Sequence, residues 1–182
     1  MSEDWCITEL QKVFLENGEI HIDGEINAEM AAYVHECLLH LRANGSPDIV
    51  VFIRSPGGTD PDGFQIYDEL RHYAGNTIGI VNGFAHSMAA IVLQGCMERR
   101  AYHHAMFLIH EASLVGSVTR SMLSPKAAAK LSAKIRKSTV KSRKIFEFHT
   151  DLTSKELKTL MALEKILTAT EALTLGFIDE LC

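Results

Sequence analysis

Residues 72–97 contain no aspartate, glutamate, lysine or arginine. A stretch that long without charge is either a membrane span or a passage sealed inside a protein core. Asn76, Asn82, His86, Ser87 and Gln94 interrupt it, four glycines break it up, and its longest apolar run is short. That composition fits a buried strand, a turn and an apolar helix better than a span. The surrounding chain is globular in character: its 182 residues are 47% hydrophobic and 23% charged. This is enough to bury a core within a single domain, residues 1–182, and too apolar for wholesale disorder. A net charge of -5 gives no reason to expect a nucleic-acid backbone as partner. Cys6, Cys37, Cys96 and Cys182 show no CxxC spacing, so neither a zinc site nor a disulfide framework is implied, and a reducing, cytoplasmic compartment is expected. The opening residues MSEDWCITELQ carry acids and no apolar core of the kind a signal peptide needs.

Alternating strand and helix patterns predict an α/β fold with mostly parallel strands. Residues 13–24 read as short strands around an Asn17-Gly18 hairpin turn. Residues 27–42 have helical spacing, 48–53 form an apolar run typical of a strand buried on both faces, and 62–73 return to helical spacing. Residues 77–81 read as a strand, Asn82-Gly83 as a turn, 87–97 as a helix and 101–110 as one further strand. Ser124-Pro125 starts a long helix to about His149, with eight basic residues on its surface. A Thr153–Glu156 capping box starts the next helix, and a short helix from Thr170 ends at Gly176 before a strand-like Phe177-Ile178.

Two of the predicted strands run into turns able to carry chemistry. Ser55-Pro56-Gly57-Gly58 exposes consecutive backbone N–H groups, and Ser87 stands where the following helix begins. Backbone N–H groups at such places can hold a developing oxyanion, and a serine reached by a base is a nucleophile candidate. Taken singly, Ser55–Gly58 is an ordinary tight turn and Ser87 an ordinary N-cap. Among nine histidines, His110 is distinguished by ending the apolar run Met106-Phe-Leu-Ile-His110. His86 adjoins Ser87, and sequence neighbours normally point apart. His103-His104 is only a weak metal signal, so no metal and no cofactor is expected.

Four ordered segments resemble the ClpP-like serine peptidases, the proteolytic subunits of the caseinolytic (Clp) proteases. They are Val50-Val-Phe-Ile-Arg-Ser-Pro-Gly-Gly58, Gly83-Phe-Ala-His-Ser-Met-Ala89, Met106-Phe-Leu-Ile-His-Glu111 and the closing segment 163–179. The resemblance implies the ClpP/crotonase fold of repeated β-β-α units with a protruding long helix, the handle. It implies Ser87 as nucleophile, His110 as general base, and the N–H groups of Gly58 and Met88 as oxyanion hole. Glu164 stands where the family has the aspartate of its triad. The implied activity is a serine endopeptidase that cleaves peptides or unfolded chains inside a self-assembled ring chamber, with two stacked heptamers as one arrangement. Three departures stand out: Glu164 itself; Glu111-Ala-Ser-Leu-Val-Gly116 in place of a Gln-Pro segment; and MSEDWCITELQK in place of an apolar axial segment. The last leaves an AAA+ unfoldase partner open. Two alternatives are a catalytically silent subunit of a mixed ring and, more remotely, a crotonase-like acyl-CoA enzyme.

Overall fold

A computed structural model describes residues 8–113 and 124–182. Among these, seven strands form one sheet. Strands β1 (Glu19–Asp23), β2 (Ile49–Ser55), β3 (Thr77–His86), β4 (Glu98–Ala101) and β7 (Glu180–Leu181) lie side by side, all parallel. Strand β5 (Met106–Leu108) also pairs in parallel with β3, and β6 (Ile166–Thr168) pairs antiparallel with β5. Helices α1 (Glu9–Glu16), α2 (Ala28–Ala43), α3 (Asp60–Arg71), α4 (Met88–Leu93), α5 (Pro125–His149), α6 (Ser154–Leu163) and α7 (Ala169–Thr174) complete the order. Parallel neighbours need crossovers, and the intervening helices supply them.

Several helix boundaries follow from local chemistry readable in the sequence. Asn27 accepts from the Met30 N–H, Ser124 accepts from the Ala127 N–H ahead of Pro125, and Thr153 and Glu156 form a reciprocal capping box. The charge-free passage is buried in part: all six residues of α4 are in the core, as are Val81 and Ala85 of β3 and Cys96, while His72, Ala74, Asn76, Asn82 and Met97 are exposed. No helix among the described residues is long and apolar enough to cross a membrane.

Four expectations are corrected. The Asn17-Gly18 hairpin does not exist; residues 9–16 form α1, opened by a Thr8–Gln11 capping box, with Asn17 at its C-cap and Gly18 at φ 74°. The same dipeptide serves a hairpin turn and a helix stop, because both need a positive φ. Asn82-Gly83 is no turn either: β3 runs through it, changing partner from β4 at residues 78–81 to β5 at residues 84–86. The single strand over 101–110 is two strands separated by a turn in which the Ala105 N–H donates to Tyr102 O, so His103 and His104 are both exposed. Finally, Phe177 and Ile178 are buried outside any strand, and β7 begins two residues later.

Candidate active site

The turn after β2 straddles the backbone of Ile26. The Ile26 N–H donates to Gly57 O at 2.8 Å, the Thr59 N–H donates to Ile26 O at 2.8 Å, and the Gly57 N–H donates to Ser55 Oγ at 3.1 Å. A methyl group on Gly58 would lie 1.9 Å from Ile26 O. One on Gly57, whose φ is +91°, would lie 2.7 Å from Ser87 Cβ and 2.9 Å from the Met88 nitrogen. The glycines are therefore what lets this turn close on Ser87. Among the described residues, neither the Gly58 nor the Met88 N–H has a backbone acceptor.

Ser87 connects β3 to α4 at φ 54° and ψ -122°, a conformation that only glycine adopts freely. Its N–H donates to Leu108 O at 2.8 Å, which ties the turn to the end of β5. Ser87 occupies the N-cap position of α4 without a side-chain cap bond. Its hydroxyl is therefore not engaged with the helix it precedes. The strained turn is held by its surroundings, as is common at reactive positions. Ser87→Gly should consequently unfold at higher urea than Ser87→Ala, by about 1 kcal/mol. Equal urea midpoints for the two variants would show that the turn stores no such strain.

His110 lies two residues past β5, and Glu164 lies two residues before β6. Paired residues in the β5–β6 ladder have numbers summing to 274 (106 with 168, 107 with 167, 108 with 166). His110 and Glu164 would satisfy the same sum, but the ladder stops at Leu108 and Ile166, so the register does not fix how their side chains stand to each other. Glu164 is the C-cap of α6, in the left-handed region at φ 49°, and is exposed. Among the described residues, no hydrogen bond or ion pair joins Ser87 to His110 or His110 to Glu164. A cleft of about 210 Å³ opens between Gly58, Ser87, Pro61 and Ser113 on one side and Leu131, Lys134 and Ile135 of α5 on the other.

Of the five expected site residues, Gly58 and Ser87 line one cleft and Met88 follows Ser87 at the start of α4, while His110 lies two residues past β5 and Glu164 at the C-cap of α6. Leu114, Val115 and Gly116 of the departing segment after His110, and all but the last five residues of MSEDWCITELQK, lie outside the described residues. His86 was expected to point apart from Ser87, and no hydrogen bond joins the two among the described residues. Burial, and next the charge of His110, hold its imidazole below the usual histidine range.

The model of the Clp protease family matches residues 2–182. Curated relatives include the ATP-dependent Clp protease proteolytic subunit 2 of Bacillus licheniformis. It is 31% identical over 165 residues, covering 88% of this chain and 83% of the relative. The ATP-dependent Clp protease proteolytic subunit 4 of Rhodococcus jostii is 30% identical over 165 residues, covering 89% of this chain and 82% of the relative. A proteolytic subunit from Carsonella ruddii is 30% identical over a shorter 105 residues, covering 57% of this chain and 54% of the relative.

Proposed function

Because the chain belongs to the Clp protease family, we propose that it is a serine endopeptidase with Ser87 as nucleophile and His110 as general base. His110 takes the Ser87 hydroxyl proton as Oγ attacks a peptide carbonyl, then returns it to the leaving amine. The N–H groups of Gly58 and Met88 stabilise the negative charge that develops on the carbonyl oxygen. Glu164, which follows α6 just before β6, provides a carboxylate whose charge favours the imidazolium. The observation that carries this reading is Ser87: a serine on a strained turn, its hydroxyl uncapped, beside two backbone N–H groups without backbone acceptors. Substrates are peptides or unfolded chains lying in the cleft between the Gly58 turn and α5.

The proposal includes assembly into rings, with the cleft facing an enclosed chamber, in a reducing compartment such as the cytoplasm. The relatives are named as proteolytic subunits of ATP-dependent proteases, which is the ground for considering an ATPase partner here. A catalytically silent subunit is the competing reading, favoured by the unjoined Ser87, His110 and Glu164 side chains. A fluorophosphonate probe separates the two. The assembled protein should label on Ser87, and Ser87→Ala should remove both the label and peptide turnover. A confirmed ring that takes no label, and turns over peptide only when mixed with an active relative, would establish the silent subunit.

A further inference from the structure

His86 carries a buried polar atom that the fold leaves unpartnered. Its Nε2 has no hydrogen-bond partner among the described residues. Leaving a buried donor or acceptor unpaired is costly, and such groups in folded proteins call for a reason. A small or apolar side chain would fill the position without that cost. The ring packs at 5.0 Å from Phe84, one step back on the same strand face.

The sheet register shows what lies beside it. His86 pairs with Leu108 across the parallel β3–β5 ladder. Paired residues in parallel strands point to the same side, and residues two apart share a face. Ala85, Phe107 and Ile109 fill the opposite, buried face, while His86, Leu108 and His110 are all partly exposed. The alternation thus continues through His110 and puts the two imidazoles on one face. Glu164, at the C-cap of α6, is exposed and makes no bond to His110.

We propose that His86 is a positioning residue for His110: when the site is engaged, the His110 Nδ1–H donates to the unpartnered Nε2 of His86, leaving His110 Nε2 to take the Ser87 proton. The inference rests on the peptidase reading of Ser87 and His110. It requires His86 to be neutral, with its own proton on Nδ1, because a protonated imidazole has no lone pair to accept with. Burial, and next the charge of His110, both oppose protonation of His86. The nucleophile, the base and an orienting acceptor would then stand in a row across two strand ends, with Glu164 acting at longer range through its charge.

The test uses the full-length assembled protein and the rate at which a fluorophosphonate labels Ser87. In that reaction Ser87 Oγ bonds to phosphorus, the P–F bond breaks, fluoride leaves and His110 takes the hydroxyl proton. His86→Ala should slow labelling by about 10²-fold, the scale of a mispositioned general base. Added imidazole, which can enter the space left by the ring, should restore part of the rate. His86→Phe keeps the ring volume without an acceptor and should be as slow as His86→Ala with no rescue. His86→Gln, with a carbonyl oxygen, should retain more. Thermal midpoints confirm that each variant is folded. Should His86→Ala fail to fold, the Phe and Gln variants decide. Wild-type labelling rates in His86→Phe overturn the proposal. So does a loss of about 10²-fold in Glu164→Gln while the His86 variants stay active; the peptidase reading survives either result. Absence of label in the wild-type ring overturns that reading and this inference together.

Discussion

Gly58→Ala should yield a protein that unfolds at markedly lower urea and labels with a fluorophosphonate at least about 10²-fold more slowly than the wild type. The clash that drives this is with backbone. A methyl group at residue 58 would sit 1.9 Å from Ile26 O, 2.7 Å from its carbon and 2.8 Å from its nitrogen. Ile26 cannot withdraw freely, since it is fully buried and hydrogen-bonded on both sides, to Gly57 and Thr59. Making room costs the strain of an overpacked core and weakens both bonds, about 3 kcal/mol together. The same displacement moves the Gly58 N–H away from the Ser87 turn. Gly24→Ala is the control: φ there is +102° but nothing lies within 4 Å of the added methyl. Its cost should be the backbone conformation alone, about 1 kcal/mol, with labelling unchanged. Wild-type stability and labelling in Gly58→Ala would mean that this turn can reshape and that its N–H is no part of the oxyanion hole.

Much of the scaffold is legible because it is set by contacts a few residues apart. Asn27, Ser124 and Thr153 open helices α2, α5 and α6 through bonds within three residues of themselves, and short-range chemistry of that kind is written directly in the sequence. The apolar run 48–53 marks a strand, but the burial on both faces expected of it is incomplete: Ile49, Val51 and Ile53 are buried and Val50 and Phe52 only in part. Asn17-Gly18 and Asn82-Gly83 misled because a dipeptide that tolerates positive φ does not say which structure uses it. The first follows a helix whose capping box at Thr8 and Gln11 marks its start. The second lies within a strand whose continuation is set by β5, more than twenty residues later.

The site divides along the same line. Ser87, His110 and the glycine turn were legible as ordered segments, and Met88 follows from Ser87. Ile26, which the Gly58 turn clasps, carries no local sign of that role: only the turn's closure over it in three dimensions reveals it. The rule that sequence neighbours point apart concerns His86 only in relation to Ser87. It says nothing about His110, which reaches the same sheet face from a different strand.

Arg99→Met should be the most destabilising of the single substitutions remote from the cleft. The guanidinium is nearly buried and serves five acceptors. It donates to both Asp179 carboxylate oxygens at 2.5 and 3.0 Å, to Gln94 Oε1 at 2.6 Å, to His149 O at 3.2 Å and to Gly176 O at 3.1 Å. One side chain thus joins β4, the residue after α4, the end of α5 and the turn after α7. None of those partners except Gln94 is a close neighbour in sequence, so the role leaves no local sign. Methionine fills the volume but strands the acceptors. Arg99 is nearly buried but Asp179 is exposed, so the loss falls below that of a fully buried pair and is about 2 kcal/mol, most of it from the stranded acceptors on Gln94, His149 and Gly176. The loss should depend on pH. Burial pushes the Asp179 carboxyl up, but its bonds from Arg99 outweigh this and hold it below the usual carboxylate range. A depressed folded-state pKa contributes stability above the unfolded value, lost as pH falls through the folded one. The wild type should therefore lose this part of its stability on acidification below about pH 4, whereas Arg99→Met has already lost it. Urea midpoints should differ most near neutrality and converge in acid. A gap that does not narrow would assign the loss to packing instead of the ion pair. Function should follow, since Gln94 anchors the far end of the helix whose first N–H, that of Met88, faces the Ser87 turn. A destabilised but folded Arg99→Met protein should label Ser87 more slowly, although no atom of Arg99 lies in the cleft.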